Sequence, residues 1–180
     1  MKKTLSFLFA IIFSTNLFAG EHFEFMGIPI NGVISEFQKH LTEKGWKIDK
    51  VTSSTSEVGS RWFDGTFFGE KTRLLVEYCP KSKVVYRCKA IIISSDFQYI
   101  KKVSNNIALA LKEKYKNATF VPADKSKNTD EASCLGDFVI KDLGAIGVCI
   151  QSDMEDYFLI ISYHDIENTK KMLEEKSADL

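Results

Sequence analysis

Between Arg73 and Ser95, two runs rich in β-branched and aromatic residues flank Pro80-Lys81-Ser82-Lys83, a proline followed by polar residues that favours chain reversal. The pattern predicts a hairpin. With Cys79 opposite Cys88, its register sets Leu74, Val76 and Tyr78 beside Ile91 and Ile93 on the face that meets a core. Upstream, Val33, Ile34, Phe37 and Leu41 recur at helical spacing among polar residues, and Gly45 ends that helix. Downstream, Ser95 with Gln98 three residues later has the form of a capping box. It opens the longest predicted helix, Asp96 to Lys116, with Ile100, Val103, Ile107, Leu111 and Tyr115 on one face. Lys101, Lys102, Lys112, Lys114 and Lys116 lie mostly on the other, which reads as a solvated surface.

Shorter patterns complete the chain. Glu21 to Met26 alternates as a first or edge strand, and the proline and glycines of Gly27 to Gly32 break regular structure before the first helix. Trp46 to Val51 is the next strand, and the Ser/Thr-rich stretch from Thr52 to Ser60 is a loop. Arg61 to Glu70 is aromatic on both sides of Asp64-Gly65, a dipeptide that marks a hairpin turn or a bulge. Asn117 to Pro122 is a short strand, and Ala123 to Ser133 is a polar surface loop. Three strands follow, Asp137 to Lys141, Ala145 to Gln151 and Tyr157 to Tyr163, and then a polar helix from Ile166 to Lys176. Consecutive strands joined by short turns predict an α+β fold, a mainly antiparallel sheet with one long and two shorter helices packed against it. Leu41-Thr-Glu-Lys-Gly-Trp46 is echoed by Leu111-Lys-Glu-Lys-Tyr115, each a helix end entering a strand.

The N-terminus changes the picture of destination. Lys2 and Lys3 precede a mostly apolar run from Leu5 to Phe13 and then Ser14 to Gly20 with the small Ala19 at the cut. This is the layout of a secretory signal peptide cut after Ala19, although Leu17 is larger than the usual residue two positions earlier. That leaves residues 20–180 as a single domain in the periplasm or outside the cell, with no transmembrane span after cleavage. The whole chain has no formal net charge, and losing Lys2 and Lys3 makes it slightly acidic. A nucleic-acid partner is therefore not expected, since it calls for a strongly basic face.

All four cysteines lie in the exported part, and an even count there points to disulfides. Cys79–Cys88 and Cys134–Cys149 are the expected pairs, because each brackets a predicted hairpin and opposed strand positions come close enough to bridge. Four buried thiols is the competing reading. A zinc site lacks the usual closely spaced pairs.

Phe25-Met26-Gly27-Ile28-Pro29-Ile30-Asn31-Gly32, followed by Phe37, Leu41 and Lys44-Gly45-Trp46, resembles a motif of small secreted bacterial proteins of unassigned function. In those proteins a Phe-x-Gly-Ile-Pro-Ile-[Asn/Asp]-Gly stretch opens a helix, a lysine-glycine-aromatic ending follows, and an antiparallel sheet comes next. The resemblance runs from Phe25 to Trp46. It implies a compartment and a fold, and it supplies no catalytic residues.

Candidate chemistry is sparse. His22, His40 and His164 are the only histidines, and none stands at ligand or triad spacing, although His164 and Asp165 are neighbours. The glycines of Leu143 to Gly147 are followed by a strand, so they lack the helix N-terminus that would hold phosphate. Asp153, Glu155 and Asp156 form an acidic turn without the ligand spacing of a calcium loop. No cofactor or metal is expected. The aromatics Trp62, Phe63, Phe67 and Phe68 read first as core packing. The first functional expectation, a non-catalytic binding module that meets another envelope macromolecule through an exposed sheet face or edge, would use them as its surface. The alternatives are a hydrolase whose site is assembled around His164 from distant residues, and a small-ligand carrier with an apolar cavity between sheet and long helix.

Overall fold

The computed structural model describes residues 22–123 and 132–178. The expected signal peptide and most of the expected Ala123 to Ser133 loop lie outside them. A small hairpin, β1 (Glu24–Phe25) and β2 (Ile28–Pro29), leads into α1 (Ile34–Glu43). Then follow β3 (Lys47–Ile48), α2 (Lys50–Thr55), β4 (Ser60–Phe67), β5 (Glu70–Tyr78), β6 (Val85–Ser94) and α3 (Phe97–Lys114). The second half runs through β7 (Thr119–Pro122), β8 (Ala132–Ile140), β9 (Gly144–Asp153), β10 (Asp156–Asp165) and α4 (Ile166–Ser177).

Strands β3 to β10 make one antiparallel sheet in the order β3-β4-β5-β6-β10-β9-β8-β7. It is two four-stranded meanders joined at their last strands. A helix leads into each: the ends of α1 and α3 deliver the chain into the two edge strands, β3 and β7. The Leu41 and Leu111 echo thus marks equivalent places in two helix-plus-meander units.

One face of the sheet is the core. Phe63 and Phe67 of β4, Leu74 and Val76 of β5, Cys88, Ala90 and Ile92 of β6, and Leu159, Ile161 and Tyr163 of β10 are all buried there. From α1 come Ile34, Phe37 and Leu41, and from α3 Ile100, Val103, Ile107 and Leu111, the helical stripes expected from their spacing. The N-terminal hairpin adds Phe25, whose ring stacks on Phe67 at 5.3 Å between centroids and meets Tyr163 edge-on at 5.6 Å. Asp165 caps α4 by accepting from the Asn168 amide at 2.9 Å and also takes His22 at 2.8 Å. The buried Asn168 side chain donates to the carbonyls of Ile30 and Val85, so the helix ties the first segment to the sheet.

Several expectations are corrected. The Glu21 to Met26 strand is only Glu24–Phe25, and it pairs with Ile28–Pro29 within the stretch expected to be irregular. The positive φ of Met26 and Gly27 supplies the turn between them. Trp46 to Val51 is mostly not a strand: only Lys47–Ile48 pairs, and Asp49, accepting from the Thr52 amide, starts α2 within the expected strand, from where it runs into the expected loop as far as Thr55. Strand β4 runs straight through Asp64-Gly65. Its turn falls at Phe68-Gly69, both with positive φ. Gly65 is there for packing, since a Cβ would enter the Trp46 ring. The cap of α3 is Asp96, which accepts from the Tyr99 amide at 3.1 Å.

The β5–β6 register also differs. Val76, not Cys79, lies opposite Cys88, with a bulge at Glu77/Tyr78. The reversal spans Cys79 to Val84: the Cys79 amide donates to the Val84 carbonyl, and Lys83 takes a positive φ. Cys79 and Cys88 are therefore free buried thiols, while Cys134 and Cys149, directly opposed on β8 and β9, form the expected disulfide.

Candidate binding surface

Side chains on a strand alternate between faces, so the register also defines the second face of the sheet. Trp62, Arg73, Leu75, Glu77, Arg87, Lys89, Ile91, Ile93, Phe158, Ile160, Ser162, His164 and Cys149 all fall on it, and each is half-buried or exposed. At its centre Ile91 lies opposite Ile160 and Ile93 opposite Phe158 across the β6–β10 seam. These four side chains form a contiguous apolar patch; Ile93 alone leaves 42% of its surface in solvent. Cys149 flanks Ile160 on the far side, which brings the disulfide to the border of the patch.

Polar residues rim the patch. Arg73 lies opposite Ile91 and is held by Asp49 at 3.0 Å, with its guanidinium over the Trp62 ring at 4.7 Å. The Trp62 indole in turn donates to the Ser56 hydroxyl at 3.0 Å, so α2 steadies this corner. On the neighbouring rows Arg87 makes a two-pronged ion pair with Glu77, and Lys89 reaches the same carboxylate at 3.4 Å. Burial alone would push the Glu77 carboxyl up, but the Arg87 hydrogen bond and the charges of Lys89 and Arg87 outweigh it and hold it below its ordinary value.

The expected surface residues separate. Phe63 and Phe67 are 0% and 8% exposed, so both are core residues and not part of a binding surface. Phe68 sits on the β4–β5 turn at 51% exposure, and Trp62 lies at the edge of the open face. Of the four, only Trp62 belongs with the apolar patch. The observed register places Ile91 and Ile93 on the open face and not on the expected core face, and Phe158 and Ile160 join them there. A signal for them exists in the sequence: Ala90 to Ile93 and Phe158 to Ile161 are unbroken apolar runs, which mark strands apolar on both faces.

Two concavities border the sheet. One, of about 380 Å³, is lined by Glu77, Arg87 and His164 at the end of the open face, with Tyr86 and with Met172 and Lys176 of α4. Burial, and then the Arg87 and Lys89 charges, lower the His164 pKa and favour the neutral ring. Asp165, its neighbour in sequence, turns to His22 instead. The other, of about 580 Å³, is an apolar groove beside α3 and the β7–β8 edge, with Leu109, Phe120 and Phe138 in its walls. Among the described residues no cluster of three or more His, Cys, Asp or Glu is placed to hold a metal ion, and no helix is long and apolar enough to cross a membrane. No protein-family model, curated protein or solved structure gives a significant match to the chain.

Proposed function

We propose that the protein is a secreted, non-catalytic binding module that meets another macromolecule of the bacterial cell envelope through the open face of its sheet. The observation carrying this reading is the patch of Ile91, Ile93, Phe158 and Ile160, apolar at its centre and rimmed by Arg73, Lys89 and Gln151. An apolar centre within a polar rim is the anatomy of a protein interface. The face is favoured over the edges, because β3 is two residues long and β7 ends in Pro122, and short or proline-bearing edges resist strand addition. The Cys134–Cys149 disulfide accords with an oxidising compartment, and the resemblance of Phe25 to Trp46 to small secreted bacterial proteins supports export.

Capture from cross-linked native envelopes tests the reading. The wild-type chain and a Leu109→Lys control, altered on the helical side, are expected to retain the same partner, while Ile93→Lys/Phe158→Lys loses it and still folds. Equal retention by the open-face variant would reject this face as the binding surface.

A further inference from the structure

The cavity beside His164 contains hydrogen-bonding groups that the fold does not use. Glu77 occupies the Nε and one Nη2 hydrogen of Arg87. Both Nη1 hydrogens and the second Nη2 hydrogen have no acceptor among the described residues. The pairing fixes the plane of the guanidinium and leaves its outer edge unspent. The His164 ring likewise has no hydrogen-bond partner among the described residues, and neither does the Tyr86 hydroxyl. Unspent donors converging on one concavity are the usual mark of a ligand site.

Charge selects the ligand. The Glu77 carboxylate is shared between Arg87 and Lys89, which leaves this trio with one excess positive charge. Lys176 adds a second cation to the lining, and the exposed Glu57, before β4, is the one other acid there. A neutral His164 can donate one hydrogen bond without adding charge. The Ser60 and Thr169 hydroxyls in the lining already donate to the carbonyls of Glu57 and Asp165. Tyr86, Tyr78, Pro80 and Met172 add an apolar and aromatic part of the wall that a bare inorganic anion would leave unfilled.

We infer that this cavity binds a small organic carboxylate, its carboxyl group against the free edge of Arg87 and its apolar body against Tyr86 and Met172. The site is separate from the apolar patch, so either can fail without the other. The test is an NMR titration of the histidine ring signals in the intact protein, with benzoate as the probe and inorganic phosphate as the comparison. Benzoate is expected to shift His164 saturably, to leave His40 unmoved, and to bind more tightly than phosphate. Arg87→Lys keeps a cation beside Glu77 but removes the fork, and should weaken benzoate binding at least about tenfold. Should that variant not fold, Lys176→Gln, exposed on α4, leaves the ion pair intact and should weaken binding by about two- to fivefold. A His164 signal unmoved by benzoate, phosphate binding as tight as benzoate, or affinity unchanged in the folded variants would each overturn the assignment.

Discussion

Gly65 shows how one residue can be misread from its neighbour. Asp64-Gly65 has the composition of a turn, yet β4 continues through it because the absent side chain makes room for the buried Trp46 ring. Trp46 follows directly on the glycine that ends α1, so its placement fixes where the first helix meets the sheet edge. Gly65→Ala should therefore destabilise the protein by about 1–3 kcal/mol, the usual cost of overfilling a packed site. Urea unfolding measures this as a lower midpoint at an unchanged slope. A midpoint equal to the wild type would show that the ring is free to move away.

At the scale of elements, the cysteines separate what pattern can decide from what it cannot. Cys134 and Cys149 bracket a short β8–β9 hairpin, as the pattern expects, but they come directly opposite one another only through a bulge between Cys134 and Gly136 that shifts the register by one residue. The Cys79–Cys88 pairing failed because the reversal closes tightly, Cys79 against Val84, which with the bulge at Glu77/Tyr78 leaves Cys88 opposite Val76, three residues from the expected register. That three-residue difference, an odd number, moves Ile91 and Ile93 from the core face to the open one. Long periodic elements such as α3 were readable, whereas α2 was hidden by Ser and Thr residues that suit loops as well as first turns. The cysteine arrangement predicts two thiols per chain, Cys79 and Cys88, silent to a thiol reagent in the native protein and reactive once it is unfolded. Reducing the remaining bridge should cost about 3 kcal/mol of stability for a loop of its length. No reactive thiols in the unfolded, unreduced chain would restore the second disulfide, and four would remove both.

The whole molecule is two helix-plus-meander units whose final strands, β6 and β10, pair to make a single sheet. That seam must be apolar beneath, where α3 lies against β6, β9 and β10, and this requirement accounts for Cys88, Ala90, Ile92, Leu159 and Ile161. It does not account for the apolar residues above. Ile91, Ile93, Phe158 and Ile160 face the side on which the register leaves every position at least partly exposed, and polar residues there would keep the same sheet hydrogen bonds. Their presence at the centre of the sheet is what a partner surface supplies a reason for. The polar cavity at the end of the same face adds a place for a small molecule beside that surface without depending on it. Site-specific photo-cross-linking in the intact producing cell tests the central claim most directly, with the reactive side chain placed at Ile93 and, as the comparison, at Leu109 on α3. The account predicts a discrete adduct from position 93 and none of that mass from position 109. No adduct from 93, or the same adducts from both positions, would contradict it.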